Sequence, residues 1–394
     1  MKAPKIFDAG VYLALVTTSL VTACVNDKSG EIHARPGTTF KVDSRPGQPT
    51  VVNGVVYLGS EAGLFYAVDM ETGHELWRFE AGGPIFHPPV VHGELVVFGS
   101  WDGRLRAVNK SSGVLIWEFE AGHVDWEVHD IFINGTPTVL NGVAYFSSED
   151  FNVYAVELET GKEIWRHSLG DEPQARYIPI VDRTAYIGAW DGHLYAIDID
   201  TGDRVWRSTT DDSGRASLAN QVPFVTVVPI VAEDMVYFTD WAGNLFAVER
   251  ETGQQVWRFD PGAADSRHVG SRSYIALEDN ILYYSTVEDR HMHGVNRQTG
   301  REVWSIETDG IVYGPKAVGD GIAAYAEFVP DESGDGGTMY RGAMDLNARK
   351  VLWSVADSAS LMNVIDGVAY YVGIDGKIYG RDIHHGDEVF RMGE

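Results

Sequence analysis

Residues 51–80 read VVNGVVYLGSEAGLFYAVDMETGHELWRFE, a stretch that predicts four short strands separated by turns at fixed places. Its alternating Val, Tyr and Leu residues have the period of two that is expected of strands. Asn53-Gly54 lies between two β-branched runs and predicts a hairpin, because both central residues of a type I′ turn need positive φ. Two turns that end in glycine, at residues 61–63 and 71–73, separate the remaining strands.

This four-strand unit recurs to the end of the chain at intervals of about 40 to 50 residues, and a closing Gly-x-x-x-Trp motif marks each copy. The copies close at Gly73…Trp77, Gly113…Trp117, Gly161…Trp165, Gly202…Trp206, Gly253…Trp257, Gly300…Trp304 and, in weaker form, Arg349…Trp353 and Gly386…Phe390. One four-stranded sheet cannot bury both of its faces without a neighbour on each side. The predicted fold class is therefore all-β, an eight-bladed β-propeller of four-stranded antiparallel blades.

The bulk composition limits the partners of such a propeller. The chain has 394 residues, 44% of them hydrophobic, and a formal net charge of −26. Length alone suggests two or three domains, but the unbroken repeat predicts one closed domain. Nucleic acid is not an expected partner, because phosphate binding requires a basic surface.

The N-terminal residues predict export and a lipid anchor. An apolar run, too short for a transmembrane helix, ends at Val21-Thr22-Ala23-Cys24, which contains the only cysteine of the chain. These four residues resemble the lipobox of bacterial lipoproteins, in which the cysteine is acylated, and Val25 at the next position then implies the outer membrane. We expect a lipoprotein signal peptide at 1–23, a lipidated N-terminus and tether at 24–46, and the propeller at 47–394. An ordinary secretory peptide with an incidental cysteine is the alternative.

Two segments are candidates for the outermost strand of the last blade. Residues 38–42 precede Pro49 by the interval that separates an outer strand from the next blade elsewhere in the chain. Residues 387–392 also have the pattern of an outer strand. The sequence leaves open which of the two closes the ring.

Turn lengths distinguish the two ends of the predicted blades. The first-to-second and third-to-fourth strand turns are short throughout, and in an antiparallel sheet they share one end, which we call the uniform face. The second-to-third strand turns and the links between blades share the opposite end, the irregular face. Long links at 121–133, 209–223 and 261–273 and an insertion at 329–338 belong to the irregular face. Because binding sites usually lie on long loops of a rigid scaffold, we expect the working surface there.

The tryptophans form two sets. The one that closes each repeat is predicted to be structural, because packing between adjacent blades needs one large side chain at a fixed place. Trp101, Trp190 and Trp241 fall instead in turns of the irregular face, and Trp is enriched at interaction hot spots. We therefore take these three, with Asp191 and Arg176, as candidate partner-binding residues. Simple packing over the turns is the alternative.

A second hypothesis is an enzyme or ligand-binding protein that acts on a polysaccharide or another small substrate in the central funnel. His123, His129, Tyr177 and Arg272 all belong to the irregular face, and such side chains perform general acid–base work when they converge. Convergence of the four around a pocket would favour this hypothesis, and scatter would oppose it.

No motif supports a metal or a cofactor. Residues 331–336 superficially resemble a calcium loop, but Gly342 stands where an EF-hand loop needs its bidentate Glu. Phosphate-loop, dinucleotide and nucleophile-elbow motifs are absent from the sequence. We expect no metal and no cofactor.

The units VVYLGS, LFYAVD and ETGHELW resemble the pyrroloquinoline-quinone (PQQ) type of propeller repeat, over nearly all of residues 49–394. Two families share this repeat. The quinoprotein alcohol dehydrogenases use it to hold quinone and calcium, generally on longer chains with a vicinal cysteine pair near the cofactor. This chain has no cysteine beyond Cys24, so the resemblance does not support PQQ, calcium or a PQQ-dependent dehydrogenase.

The second family is BamB, the lipoproteins of the outer-membrane β-barrel assembly machine, which are similar in size, lipobox, blade count and lack of cofactor. In that family an Asp-x-Asp loop near blades three to five contacts the barrel subunit, and the matching link at 211–222 lacks that run. The resemblance implies a non-catalytic scaffold that is anchored in the outer membrane and faces the periplasm. Envelope proteins, the β-barrel assembly subunit among them, are the implied partners.

Overall fold

The structure is a computed structural model that describes residues 31–35, 38–41, 43–44, 47–122, 132–133, 135–169, 177–189, 191–209, 228–240, 243–262, 274–285, 290–319, 321–331, 337–356, 363–365, 367–372 and 378–392. In these ranges the regular secondary structure is all β. None of these residues belongs to a helix with the length and apolarity that crossing a membrane requires.

The described strands form eight four-stranded antiparallel sheets, each built from four strands that follow one another in the chain, and one separate hairpin. This confirms the predicted eight-bladed β-propeller. The hairpin is β1 (Glu31–Arg35) and β2 (Thr38–Lys41). Blades one to four contain β3 (Thr50–Val52), β4 (Val55–Leu58), β5 (Leu64–Asp69), β6 (Glu75–Glu80); β7 (Val90–His92), β8 (Leu95–Gly99), β9 (Arg104–Asn109), β10 (Leu115–Glu120); β11 (Thr138–Leu140), β12 (Val143–Ser148), β13 (Asn152–Glu157), β14 (Glu163–Ser168); β15 (Ile180–Val181), β16 (Thr184–Gly188), β17 (His193–Asp198), β18 (Arg204–Thr209).

Blades five to eight contain β19 (Ile230–Ala232), β20 (Met235–Thr239), β21 (Leu245–Glu249), β22 (Gln255–Phe259); β23 (Tyr274–Glu278), β24 (Ile281–Ser285), β25 (His291–Asn296), β26 (Glu302–Glu307); β27 (Ile311–Gly319), β28 (Ile322–Pro330), β29 (Gly337–Asp345), β30 (Lys350–Val355); β31 (Asn363–Ile365), β32 (Val368–Val372), β33 (Ile378–Asp382), β34 (Glu388–Met392).

In blades one, three and four, both central residues of the first turn have positive φ. Asn53 and Gly54 adopt φ of 51° and 78°, the left-handed pair of a type I′ hairpin. Blade four reaches the same geometry without glycine, because Asp182 and Arg183 adopt φ of 46° and 68°. The uniform face is therefore short and regular, as expected.

The core lies between adjacent blades. In one cluster Tyr57 and Phe65 of blade one pack against Val96 and Phe98 of blade two, and all four are almost completely buried. The rings of Phe65 and Phe98 stack in parallel with their centroids 4.1 Å apart. Six further clusters likewise combine residues of two successive blades, from blades two and three to blades seven and eight. One cluster of described residues lies within blade one, namely Val51, Val56, Leu58, Tyr66 and Val68.

Each closing tryptophan joins its blade to the next one. Trp117 donates its Nε1–H to the backbone oxygen of Leu158 at 2.8 Å, and its ring lies against Gly161. A Cβ on Gly161 would lie 2.5 Å from Cε3 of the indole, so the interface requires glycine there. The same bond joins Trp77 to Lys110, Trp165 to Ile199, Trp206 to Arg250, Trp257 to Arg297 and Trp353 to Ile383. The prediction that this tryptophan set is structural is confirmed.

A β-bulge precedes the closing aromatic residue in every blade. In blade one Ala67 pairs with Trp77 and Val68 with Glu75, so Leu76 is the extra residue. Its side chain is 52% exposed, while Trp77 faces blade two. The bulge residues are Leu76, Ile116, Ile164, Val205, Val256, Val303, Leu352 and Val389.

The ends of the chain resolve the choice left open by the sequence. Blade eight takes its outermost strand from its own C-terminal segment, β34, which pairs with β33. β2 pairs instead with β1, so the predicted tether contains a hairpin. The hypothesis that residues 38–42 form an outer blade strand is not supported, because the described residues among them, 38–41, pair with β1.

Blade seven differs from the others in strand length. Its first three strands contain nine residues each, and β28 and β29 extend into the insertion that the sequence predicts as a loop. Val329 pairs with Thr338 and Pro330 with Gly337, so the ends of that insertion continue the ladder. This part of the loop prediction was wrong, because the two arms of the insertion can pair with each other.

Candidate protein-interaction face

An aspartate in the second-to-third strand turn secures the irregular face of blade two. Asp102 accepts hydrogen bonds from Arg106 Nη1 at 3.0 Å and Nη2 at 2.6 Å, and from the backbone N–H of Arg104 at 3.2 Å. It also accepts the N–H of Gly82, in the link from blade one, at 3.0 Å. Burial raises the pKa of Asp102, but the hydrogen bonds and positive charge of Arg106, with further bonds from Ser100 and Arg104, together hold that pKa below its usual range. Asp102 is therefore a charged clamp between a turn and the preceding link.

Blade three repeats this clamp, and blade four repeats the part within the blade, in both cases with a tyrosine four residues after the aspartate. Asp150 accepts the hydroxyl of Tyr154 and, at 2.7 Å, the N–H of Gly122 in the preceding link. Asp191 accepts the hydroxyl of Tyr195 at 2.5 Å and the N–H of His193 at 3.1 Å. The Asp191 carboxylate, which the sequence suggested for partner binding, is thus engaged within its own turn.

Blade one lacks the turn aspartate, and a residue from the N-terminal segment replaces it. Ala62 occupies the position of Asp102, and the Tyr66 hydroxyl donates instead to Asp43 at 3.1 Å. The N–H of Ala62 donates to the hydroxyl oxygen of Ser44 at 2.8 Å. Burial, followed by the hydrogen bond to Asp43, raises the pKa of Tyr66 to about 12. The N-terminal segment therefore occupies the place that a preceding link has in the other blades.

Trp101 lies at the centre of an aromatic cluster on the irregular face. Its ring stacks on Phe132 with centroids 4.5 Å apart and meets Phe86 edge-on at 4.7 Å. All three side chains are partly exposed. Among the described residues, the buried Nε1–H of Trp101 has no hydrogen-bond acceptor. A buried donor without an acceptor is costly.

The structure allows only part of the sequence-derived site to be placed. Trp101, Asp191 and Tyr177 lie among the described residues, whereas Cys24, Arg176, Trp190, Trp241, His123, His129 and Arg272 lie outside them. Tyr177 is half-buried, and burial raises its pKa despite an opposing hydrogen bond with Thr138. Convergence of Tyr177 with the other three candidate acid–base residues therefore stays a prediction.

Metal binding finds no support in the same part of the chain. No group of three or more His, Cys, Asp or Glu side chains among the described residues could hold a metal ion.

The sequence reading missed Phe86, Phe132 and Asp43. A signal for the two phenylalanines exists, because each adjoins an isoleucine that packs under a glycine of the preceding blade, Ile85 beneath Gly59 and Ile133 beneath Gly99. Adjacent Ile and Phe residues therefore recur in two consecutive links, as Ile85-Phe86 and Phe132-Ile133. Asp43 has no such signal, because it lies outside the repeat and its partner Tyr66 is 23 residues away.

The chain matches the family described as outer membrane protein assembly factor BamB, over residues 18–257, 120–306 and 242–391. It is 27% identical over 335 residues to the protein of that name from Escherichia coli K12, which covers 83% of this chain and 71% of the relative. It is also 24% identical over 183 residues to tetrathionate hydrolase of Acidithiobacillus ferrooxidans, but that match covers 43% of this chain and spans only 36% of the hydrolase.

Among solved structures, that of BamB from Moraxella catarrhalis superposes with a TM-score of 0.58 at 15% identity. The superposition covers 94% of this chain and 93% of the other. At this identity the likeness concerns the fold alone, and it agrees with the eight-bladed propeller.

Proposed function

Since the chain belongs to the outer membrane protein assembly factor BamB family, we propose that it is a scaffold lipoprotein for the assembly of outer-membrane β-barrel proteins. In this proposal Cys24 is acylated, the propeller faces the periplasm, and other envelope proteins dock on the irregular face. This role requires no chemical reaction. A rigid propeller offers a preformed surface, so little conformational entropy is lost when a partner binds.

The observation that carries the docking proposal is the environment of Trp101. A partly exposed indole between two phenylalanines is typical of an interaction hot spot, where aromatic side chains dominate the binding energy. The cluster also lies on the face that carries all the long links.

Photocrosslinking in cells tests the docking proposal. A benzophenone amino acid replaces Phe86, beside Trp101, and a control protein carries it at Leu140, which is 37% exposed at the end of β11, next to the first turn of blade three on the uniform face. We expect position 86 to capture a component of the barrel-assembly machinery and position 140 to capture none. Adding Trp101→Ala to the first protein should abolish the adduct. Equal capture from both positions, or an adduct that survives Trp101→Ala, would contradict the proposal.

Metabolic labelling with a palmitate analogue tests the anchor separately. The unsubstituted protein should carry the label and fractionate with the outer membrane. Cys24→Ser should lose both properties. Label retained by Cys24→Ser would place the modification elsewhere and overturn this part of the proposal.

A further inference from the structure

The outer strand of blade two departs from the repeat. Between the closing glycine and the bulge residue, six blades carry two polar residues each, namely His74-Glu75, Lys162-Glu163, Asp203-Arg204, Gln254-Gln255, Arg301-Glu302 and Asp387-Glu388. Blade seven carries Lys350-Val351. Blade two carries Val114-Leu115 before the bulge residue Ile116, and these three side chains are 61%, 39% and 49% exposed. Three consecutive exposed aliphatic side chains, one just before β10 and two at its start, are unusual unless something covers them.

This apolar segment lies on a sheet edge. β10 is the outermost strand of blade two, and among the described strands only β9 pairs with it. Proteins commonly protect such edges with charged side chains, above all with basic ones. Four blades have Arg directly after the closing tryptophan (Arg78, Arg166, Arg207 and Arg258), whereas blade two has Glu118. β10 therefore carries acidic rather than basic side chains at its edge.

The charge of the β10 edge is negative. Glu118 and Glu120 have side chains that are 45% and 55% exposed. Each accepts a hydrogen bond from the neighbouring strand, Glu118 from Arg106 at 3.2 Å and Glu120 from Arg104 at 3.1 Å. Both side chains are about half exposed, and the net charge of −26 favours a basic partner and opposes pairing with a second copy of this chain.

A pocket adjoins the start of β10. It has a volume of about 310 Å³ and lies between blades one and two, lined by Val52, Asn53, Val55, Tyr57, Leu76, Lys110 and Ser111. Gly113, next to Val114, rests on the ring of Trp77, next to Leu76, so the pocket and the aliphatic segment are neighbours. A branched side chain of a partner could occupy this pocket.

We propose that the outer edge of blade two binds an extended segment of another protein, which adds a strand to β10. Main-chain hydrogen bonds to β10 provide the pairing, aliphatic side chains of the segment cover Val114, Leu115 and Ile116, and its Lys or Arg residues face Glu118 and Glu120. This surface lies on the circumference of the propeller. It uses none of the residues of the Trp101 cluster, so it does not depend on the docking proposal above.

Fluorescence anisotropy tests the proposal with a labelled synthetic peptide of alternating Val and Lys, seven residues long with blocked termini. The test variant is Ile116→Lys, and the matched control is Val205→Lys, which changes the equivalent bulge residue of blade four from a similar exposure of 52%. Both substitutions alter the net charge equally and affect a solvent-facing side chain. We expect Ile116→Lys to weaken peptide binding at least tenfold and Val205→Lys to leave it within twofold.

A second peptide, with Pro in place of alternate Val residues, cannot pair as a strand and should bind at least tenfold more weakly. Equal loss of binding in the two variants, or equal affinity for the two peptides, would show general attraction to an acidic protein and would overturn the proposal. Sedimentation of the unsubstituted protein adds an independent outcome. Self-association that Ile116→Lys abolishes and Val205→Lys preserves would make a second copy the occupant and would also overturn it.

Discussion

Substitution of Gly161 by Ala tests the contact that joins blades two and three. Gly161 has φ of +70°, and a Cβ there would lie 2.5 Å from Cε3 and 2.6 Å from Cδ2 of Trp117. A non-glycine residue in the left-handed region costs about 1–2 kcal/mol. Forcing a methyl group into a filled interface costs about 1–3 kcal/mol more. We therefore expect Gly161→Ala to lower the free energy of unfolding by about 2–5 kcal/mol.

Gly142 provides the matched control. Its φ of +78° resembles that of Gly161, but no atom lies within 4 Å of the position of its Cβ. Gly142→Ala should therefore show only the backbone cost, about 1–2 kcal/mol. The difference between the two substitutions measures the blade contact rather than the left-handed backbone.

The assay is equilibrium unfolding in urea, followed by tryptophan fluorescence. The dependence of the unfolding free energy on urea concentration should be the same in both variants, so that a shift in midpoint reports a change in stability. Combining Gly161→Ala with Trp117→Ala closes a double-mutant cycle, in which the two changes should be strongly non-additive because one removes the ring that the other meets. The reasoning is refuted if Gly161→Ala costs no more than Gly142→Ala, or if Gly161→Ala and Trp117→Ala are additive.

Three further predictions concern charged groups. Asp102→Asn should lower the free energy of unfolding by about 2–3 kcal/mol at neutral pH, because it weakens the charged bonds to Arg106. Since the pKa of Asp102 is lowered in the folded protein, its contribution to stability is present above the unfolded pKa and is lost as the pH falls through the folded pKa. Urea unfolding at several pH values should therefore show the stabilities of the two proteins converge in acid, and a constant difference in unfolding free energy would contradict this. Burial raises the pKa of Glu327, so the unsubstituted protein should gain stability relative to Glu327→Gln as the pH falls from 7 towards that raised pKa, and parallel stability profiles would contradict this. Asp43→Ala should cost about 1 kcal/mol in the same assay, because Tyr66 loses its acceptor; an unchanged unfolding midpoint would show that the N-terminal segment does not brace blade one.

The candidate site was partly readable from the sequence. Trp101 was identified from its position in a turn of the irregular face, because turn position and residue type are local properties. Phe86 and Phe132, which complete the cluster, come from two different links that fold back over the turn of blade two. The distance between those links depends on how neighbouring blades pack, so the lack of an acceptor for the Nε1–H of Trp101 among the described residues could not be predicted from sequence alone. The clamp role of Asp191 was likewise missed, because its partner Tyr195 lies on the adjoining strand.

Sequence by itself determined the all-β class, the eight blades, the positive-φ turns and the structural role of the closing tryptophans. These follow from the period of two within strands and from Gly and Asn at the turns. They also follow from the repeat itself, because a single four-stranded sheet cannot bury both of its faces without neighbouring copies. Only the tertiary structure decided that β34 closes blade eight, that Asp43 replaces the missing turn aspartate of blade one, and that the arms of the blade-seven insertion pair. Each of these depends on contacts between segments whose separation is set by the packing of strands and blades. Local pattern cannot report such contacts, because the same residues would satisfy the pattern equally well with other neighbours.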